Sequence, residues 1–381
     1  MRRYARHRFA YGYRLQAAAV RATVQHIRQK DGKAAIMRWW GYDVTRRELE
    51  GYAADLRQLA DIRLVTLDDG PERGVRAALC RTGGGLAFTV LLDRGLDIGA
   101  ADYKGVPLAW QSGTGAADPA RHEPTGLGWL RTFHGGLLAL CGLTTAGYSP
   151  DAPIDPANGE VLGLHGRAGT TPAYDVRIDR DVRDDGITLR LHGTVNEVSL
   201  FTHKLRLQRT LEFDGGGAEI RICDTVRNFG GLPAPLMMLY HLNFGFPLLS
   251  PDSVMTSTAV DVTPRDAAAA PGLDAWNRFD APQPGYAEQV FWHVLDPAQA
   301  QAEATLVNPV LGLGIAVRWD ARTLTHLTEW KQMGFGDYVV GIEPGNCQPV
   351  GRAKARANGT LKELAPGESV TFTLALRVIT P

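Results

Sequence analysis

The feature that most constrains the fold is an alternation of polar and apolar residues, interrupted by glycine, that runs from Val65 to the C-terminus. The segment RGVRAALCRTGGGLAFTVLLDRGLDIGAADYKGVPLAW predicts three strands, with turns at Gly83–Gly85 and Lys104–Gly105. Further hairpin turns are predicted at Asp184–Gly186 and Gly215–Gly217. Helical periodicity is almost absent after residue 60, so the pattern predicts an all-β fold, a large antiparallel β-sandwich.

The N-terminal part of the chain has a different character. Residues 1–36 are basic and poor in acidic side chains, and a helical pattern starts at Met37. We therefore expect a basic, partly helical N-terminal extension over residues 1–60 and one β domain over residues 61–381. The leader of residues 1–36 is open to three interpretations: a presequence, a helical arm for a partner, or an upstream start codon chosen in place of Met37. We favour the last two.

The balance of charges and the spacing of the cysteines limit the classes of partner and location to be expected. Lys and Arg together number 41, as do Asp and Glu, so the composition does not favour nucleic acid or an anionic membrane as a partner. No stretch reaches the roughly 18 uninterrupted apolar residues of a membrane helix. Four cysteines without a CxxC pair favour reduced thiols and a cytoplasmic location. The expected partner is a small neutral molecule, and homodimer formation is left open.

The apolar segment LYHLNFGFPLL, residues 239–249, carries two polar side chains. His241 and Asn243 occupy alternating positions, which a strand turns to the same face. One interpretation is a core histidine satisfied by a backbone carbonyl. The other is a strand floor that presents an acid/base group to a pocket.

Two histidines lie in glycine-rich loops. Gly163 and Gly166 on either side of His165 remove bulk and let a ligand approach, while Arg167 adds a fixed fork of donors. The alternative for His165 is a tight turn with a solvated side chain. His134, in TFHGG, has the same glycine flank but no charged neighbour following it.

Glu343 follows an apolar strand that would be buried, and Pro344-Gly345 end that strand. A carboxylate at the buried end of a strand is costly unless it is paired or used as a base. The alternative to a base is a salt bridge to Lys331 or Arg352.

Other candidate chemistry is limited. Arg94 and Asp97 in LLDRGLDIG form a structural ion pair or, for the arginine, a clamp on a ligand hydroxyl. The sequence lacks a dinucleotide-binding GxGxxG, a Walker loop, a GxSxG elbow and an HExxH helix. A metal shell built from His134, His165 and His241 is conceivable, but nothing in their spacing demands one. We therefore expect neither a cofactor nor a metal.

Several segments together resemble the galactose mutarotase-like superfamily, and most closely its aldose 1-epimerase-like DUF4432 family. These blocks, in chain order, are LLDRGLDIGAADYKGVPLAW, RTFHGGLLALCGLTTAG, GLHGRAGTTPA, LYHLNFGFPLL and GIEPGNCQPVGR. The resemblance extends from about Trp39 to the C-terminus. It implies a β-supersandwich that binds a carbohydrate on its concave face.

The resemblance also implies residue roles. His241 matches the histidine that donates a proton to the ring oxygen, Glu343 the base at the anomeric hydroxyl, and His165 the second histidine near the sugar ring. Ring opening in this scheme needs a protonated His241 and an ionised Glu343 on facing edges of the cleft. HLNF replaces the usual proline after the histidine, and the family's sugar-binding aspartate has no clear counterpart. The expected sugar-contacting set is Arg94, Asp97, His134, Arg167, Asn243, Lys331 and Asn346.

Three hypotheses for function follow. The first is a cofactor-independent isomerase that interconverts sugar anomers. The second is an epimerase, isomerase or lyase acting on a keto-sugar or sugar acid, and the third is a sugar-binding protein without turnover. Neutral net charge disfavours a phosphosugar, although a local anion site could be built from Arg94, Arg131, Arg167 and Lys331.

Because the strand pattern and the resemblance both start after residue 36, we expect residues 1–36 to be dispensable for the β domain. Deleting them should leave the melting temperature nearly unchanged in a thermal-unfolding experiment. A large loss of stability would instead show that the leader packs on the domain or builds a dimer interface.

Overall fold

The computed structural model describes residues 35–380 and consists mainly of antiparallel strands. The strands up to residue 245 are β1 (Met37–Trp39), β2 (Tyr42–Val44), β3 (Asp61–Thr66), β4 (Arg76–Arg81), β5 (Leu86–Leu91), β6 (Asp97–Tyr103), β7 (Val106–Pro107), β8 (Ala139–Cys141), β9 (Tyr174–Val182), β10 (Ile187–Val198), β11 (Lys204–Asp214), β12 (Glu219–Asn228), β13 (Ala234–Leu236) and β14 (Leu239–Gly245). The later strands are β15 (Val254–Ser257), β16 (Asp261–Pro264), β17 (Gln289–Val294), β18 (Gln301–Asn308), β19 (Leu313–Asp320), β20 (His326–Met333), β21 (Tyr338–Gly345), β22 (Lys362–Leu364) and β23 (Ser369–Ile379).

Helical structure is confined to short pieces within the described residues. The α-helices are α1 (Arg46–Tyr52) and α2 (Arg352–Ala357). Short 3-10 segments cover Leu56–Gln58, Gly70–Glu72, Pro119–Arg121, Gly128–Arg131, Ala168–Thr170 and Ala270–Ala275. No helix in this part of the chain is long and apolar enough to cross a lipid bilayer.

The strands form three larger sheets and two small ones. The eight-stranded sheet has the order β15-β18-β19-β23-β12-β11-β10-β9, and the six-stranded sheet has the order β16-β17-β20-β21-β14-β8. A five-stranded meander contains β3 to β7 in sequence order. Two-stranded pairs are formed by β1 with β2 and by β13 with β22. The all-β prediction is confirmed, and the four predicted turns lie between strands as expected.

The predicted helical start at Met37 was wrong for its first eight residues. Residues 37–44 form the β1–β2 hairpin, with Gly41 at the turn at a φ of +86°. The helix begins only after Thr45, whose side chain and that of Glu48 form a reciprocal capping box. Residues 35–55, together with 182–186, make up one compact unit, and the remaining described residues make up the other. Residues 1–34 of the leader lie outside the described residues.

The central strands of the six-stranded sheet are covered on both faces. Every residue of β14 and of β21 is buried, whereas buried and less buried residues alternate along β12. A strand with one face on a core and one toward solvent gives such an alternation. The continuous burial of β14 therefore shows that its second face is also enclosed, which leaves room for polar side chains only where they are paired or line a cavity.

A fully buried ion pair joins the two large sheets. Arg209 on β11 donates from Nη2 to Asp224 Oδ2 on β12 at 2.7 Å, and the Tyr240 hydroxyl on β14 donates to the same carboxylate oxygen at 2.7 Å. Arg209 also donates from Nη1 to the carbonyls of Gly95 and Leu96, at 3.3 and 3.2 Å. Burial lowers the pKa of the Arg209 guanidinium, but the Asp224 carboxylate raises it by more, so the guanidinium stays charged in the core.

We predict that Asp224→Asn lowers the free energy of unfolding by about 3–5 kcal/mol, because the substitution leaves the Arg209 charge buried without its counter-ion. Tyr240→Phe should cost about 1–3 kcal/mol, since it removes one donor from a buried acceptor. Denaturant titration measures both losses. Asp68→Asn, which disrupts an exposed pair with Arg73, is the control and should cost at most about 1 kcal/mol. A loss at Asp224 no larger than at Asp68 would contradict the assignment.

Candidate active site

One face of the six-stranded sheet forms the floor of a cavity of about 790 Å³. This volume lies within the range of about 300–1,000 Å³ that small-molecule sites occupy. The floor comes from β14, β17, β20 and β21, and the walls come from loops around residues 127–133, 147–151 and 349–354. His165, His241 and Glu343, predicted as the reactive residues, all line this cavity.

His241 and Glu343 are direct neighbours across two strands. The register of β14 against β21 pairs Leu239 with Gly345 and Leu242 with Ile342, which places His241 opposite Glu343. Their side chains approach to 3.1 Å between Nε2 and Oε1, and both residues are buried. Neither Glu343 Oε1 nor His241 Nδ1 has a hydrogen bond of normal geometry to any residue that the structure describes. The imidazole and the carboxyl group thus face one space, on neighbouring strands rather than on opposite edges of a cleft.

Burial favours the neutral forms of both groups. It raises the pKa of Glu343 well above its usual value, and the nearby Glu288 raises it further while Arg265 opposes the shift. Burial lowers the pKa of His241 to about 4, although a side-chain hydrogen bond with Asn243 opposes this change. Burial therefore opposes the expected ion pair. The neutral pair has the same number of protons as the ion pair and differs from it by one proton transfer across the 3.1 Å gap.

The pair fits because position 341 has no side chain. A Cβ atom at Gly341 would lie 2.6 Å from Glu343 Oε1, 3.2 Å from Trp330 Cβ and 3.3 Å from His241 Cε1. Carbon atoms do not approach a carboxylate oxygen that closely without displacing it. Glycine at this position therefore leaves the carboxylate free to approach His241 with the observed geometry.

His165 is held with one defined nitrogen toward the cavity side. Its Nδ1 accepts a hydrogen bond from the Gly147 amide at 3.2 Å, so the neutral ring carries its proton on Nε2. Its backbone adopts a φ of +61°, followed by Gly166 at +72°. The ring centroid lies 5.7 Å from that of His241. Burial, and secondarily the proximity of His241, lower the pKa of His165 well below its usual value. His165 can thus donate one hydrogen bond to a ligand.

Aromatic rings surround the histidine pair, and the sequence analysis missed them as site residues. The rings of Phe133 and Trp330 lie 5.2 and 5.3 Å from that of His241, and Trp129 stacks on Phe133 at 4.2 Å. The indole nitrogen of Trp330 donates to Glu288 Oε2 at 2.8 Å. Of these residues, Phe133 does lie inside the block RTFHGGLLALCGLTTAG, next to His134.

Arg94, Asp97 and His134 are buried away from the cavity and hold its walls. Arg94 donates to the carbonyls of Ala117 and Thr132, each at 2.7 Å. Asp97 accepts from the Leu140 amide at 2.8 Å and lies 3.2 Å from His134 Nε2. These three residues were expected to contact the sugar. The two terminal nitrogens of Arg94 and both carboxylate oxygens of Asp97 are instead engaged by backbone groups or by His134.

Asn243, Asn346 and Lys331 also have structural partners. Asn243 Nδ2 donates to the carbonyls of His241, Gly136 and Gly135 at 2.9, 3.1 and 3.3 Å. Asn346 bonds the backbone of residues 236 and 238, and Lys331 Nζ donates to the Ala275 carbonyl at 3.0 Å. None of the three lines the cavity. The alternation of side chains along a strand correctly places Asn243 on the same face as His241. Its amide nitrogen, however, already donates to loop carbonyls.

Arg167 does not join the reactive residues. It lines a separate small cavity with Glu160 and Glu197, whose volume of about 10 Å³ is close to the room that one water needs. Its Nη2 lies 3.9 Å from Glu160 Oε1, and about half of its side chain is exposed. The expected convergence therefore includes His165, His241 and Glu343 but excludes Arg167.

The His241–Glu343 pair lines the cavity, whereas a similar pair on the other face of the sheet does not. His293 Nε2 lies 3.1 Å from Glu329 Oε2, and both side chains are fully buried under the ring of Trp276. Neither lines the cavity. Among residues 35–380, no group of three His, Cys, Asp or Glu side chains is placed to hold a metal ion.

Comparison with known proteins gives a consistent fold. Residues 72–378 match the family model described as "Domain of unknown function (DUF4432)". A candidate aldose 1-epimerase from Klebsiella pneumoniae superposes with a TM-score of 0.77 at 25% identity, covering 92% of this chain and 89% of that one. Galactose 1-epimerase from Lactobacillus acidophilus gives a TM-score of 0.57 at 15% identity, covering 84% of this chain and 99% of that one. At such identity the second likeness shows the fold alone. No curated protein sequence matches the chain.

The raised pKa of Glu343 predicts a pH-dependent gain in stability for Glu343→Gln. A carboxyl whose pKa is higher in the folded than in the unfolded state stabilises the fold fully below the unfolded pKa of about 4.3, and this contribution is lost as the pH rises. The variant should therefore gain up to about 1.4 kcal/mol over the wild type for each pH unit above that value. Thermal melts at pH 5 and pH 8 measure the difference.

The control for this experiment is Glu363→Gln, which alters an exposed carboxylate paired with Arg356 at 2.9 Å. Its melting temperature relative to the wild type should change little between the two pH values. A Glu343→Gln difference that is equally flat would show that the carboxyl is ionised in the folded protein at neutral pH.

Proposed function

The chain belongs to the DUF4432 family, and on that premise we propose that it is a cofactor-independent isomerase of the aldose 1-epimerase type. It opens the ring of an aldose and recloses it on the other face of C1. The observation that carries the proposal is the contact of 3.1 Å between His241 and Glu343 at the floor of an enclosed, ligand-sized cavity.

The chemistry requires two groups of this kind at this separation. Ring opening removes a proton from the hydroxyl on C1 and delivers one to the ring oxygen, and both oxygens are bonded to the same carbon. A general acid and a general base that act together must therefore be close neighbours, each contributing about 10²–10⁴-fold when well placed. We assign the acid to His241 and the base to Glu343.

The protonation states support a proton exchange between the two residues. Glu343 with its raised pKa and neutral His241 together hold one transferable proton. Moving that proton across the gap creates the imidazolium and carboxylate that the proposed roles use, and sugar hydroxyls can hydrogen-bond to both charges. After ring opening, the aldehyde carbon turns about the C1–C2 bond, and the reverse transfers reclose the ring.

The surrounding residues orient the sugar. His165 donates from Nε2, since its Nδ1 is occupied by the Gly147 amide. The rings of Phe133 and Trp330 offer apolar faces beside His241 on which the C–H groups of a pyranose can pack. Enclosure by these rings lowers the local dielectric and strengthens each hydrogen bond that remains.

The test is an NMR experiment on a panel of unphosphorylated aldoses. Saturation transfer between the two anomeric protons measures exchange at C1, deuterium uptake from D₂O measures removal of a carbon-bound proton, and line broadening alone measures binding. The proposal requires exchange at C1 above the uncatalysed rate. Deuterium uptake at carbon would favour an epimerase or lyase on a keto-sugar or sugar acid, and binding without exchange would favour a sugar-binding protein.

We predict that Glu343→Gln and His241→Asn each lower the rate of anomer exchange by about 100-fold or more while the sugar still binds. The double variant should be little slower than either single one, because the two groups act as a unit. Exchange NMR on the purified variants gives the rates. Full activity in Glu343→Gln would rule out this mechanism.

Glu329→Gln provides the matched control. It changes the same side chain within 3.1 Å of a histidine, but on the sealed face of the sheet. A correctly folded Glu329→Gln protein should retain most of the exchange rate, and circular dichroism checks its fold.

A further inference from the structure

The cavity floor is longer than one sugar ring. The strand register aligns His241 with Glu343, Glu343 with Thr328, and Thr328 with Trp292. All four residues line the cavity and lie on successive strands. Neighbouring strands are about 4.8 Å apart, so three spacings give a row of roughly 14 Å. A pyranose held at His241 and Glu343 covers only part of that row and leaves the end at Trp292 open.

The open end has the side chains that bind a sugar. Arg265 donates from Nη2 to Glu288 Oε1 at 2.9 Å, and both line the cavity together with Trp292. Planar charged groups of this kind can bond to adjacent hydroxyls, while an indole face packs against the apolar face of a pyranose. Trp330 connects the two ends, since its ring lies 5.3 Å from His241 and its nitrogen bonds to Glu288.

The charge of the lining disfavours an anionic ligand. Arg265 is engaged by Asp266 at 2.7 Å and by Glu288 at 2.9 Å. Besides Glu343, whose neutral form is favoured by burial, the acidic lining residues are Asp151, Asp266 and Glu288, against the basic Arg265 and Lys354. A phosphate or carboxylate would meet like charge here. None of the four cations suggested by the sequence for an anion site lines this cavity. They are Arg94, Arg131, Arg167 and Lys331.

We propose that the substrate is an uncharged reducing disaccharide. Its reducing ring lies on His165, His241 and Glu343, and its second ring lies on Thr328, Trp292 and the Arg265–Glu288 pair. This assignment rests on the proposed function, because it takes the His241–Glu343 end as the reactive one. The second ring supplies binding energy remote from the reacting carbon.

The experiment compares anomer exchange of glucose and galactose with that of maltose, cellobiose, lactose and melibiose. Glucose 6-phosphate and glucuronate serve as the anionic members of the panel. At least one disaccharide should have a kcat/KM about tenfold or more above that of its reducing-end monosaccharide, which corresponds to about 1.4 kcal/mol of added binding. The anionic sugars should exchange more slowly than glucose.

Trp292→Ala tests the second ring directly. It should lower kcat/KM for the preferred disaccharide by about tenfold more than for the monosaccharide, chiefly through KM, because the lost contact is remote from C1. Phe335→Ala is the control: it removes an aromatic ring that is 80% exposed and lies outside the cavity. This control should leave the preference for disaccharide unchanged.

The outcomes separate the two proposals. Equal kcat/KM values for monosaccharides and disaccharides, or an equal effect of Trp292→Ala on both, would overturn the two-ring assignment and leave the proposed function standing. Faster exchange of an anionic sugar would overturn the assignment of an uncharged substrate. If no sugar of the panel exchanged its anomers, the proposed function would itself be rejected, together with the inference that rests on it.

Discussion

The buried contact among Arg209, Asp224 and Tyr240 determines how the rest of the molecule is arranged. It links two strands of the eight-stranded sheet to β14 of the six-stranded sheet through one carboxylate. Because side chains alternate along a strand, fixing Tyr240 toward the core turns His241 to the opposite face. The orientation of a reactive histidine thus depends on an ion pair that never meets the ligand.

Three buried His–carboxylate pairs among the described residues differ in their access to a ligand. His134–Asp97 and His293–Glu329 are enclosed in the fold, while His241–Glu343 opens onto the cavity. The separations are nearly identical, so distance alone does not distinguish a structural pair from a reactive one. What distinguishes the third pair is a cavity large enough for a ligand beside it.

The sequence predicted the fold and the meeting of His165, His241 and Glu343 at one cavity for physical reasons that also explain its errors. The alternation of polar and apolar residues and the glycine-rich turns directly predict strands. His241 and Glu343 could be identified because a polar group in a buried apolar strand is costly unless it is paired or functional. Arg94 and Asn243 instead donate to loop carbonyls. No local sequence pattern distinguishes a side chain with this role from one that binds a ligand. Trp292 and Trp330 were missed because aromatic residues in strands look like core, and only the register shows which face they occupy.

The absence of a side chain at Gly341 also has a consequence for the relatives of this chain. A Cβ atom at this position would lie 2.6 Å from the carboxylate oxygen of Glu343, so a side chain there would force that oxygen to shift. A homologue with alanine at this position would have to turn its glutamate aside, although both the histidine and the glutamate remained in its sequence. The sequence of a relative at this one position therefore indicates whether its histidine and glutamate can meet with the geometry described here.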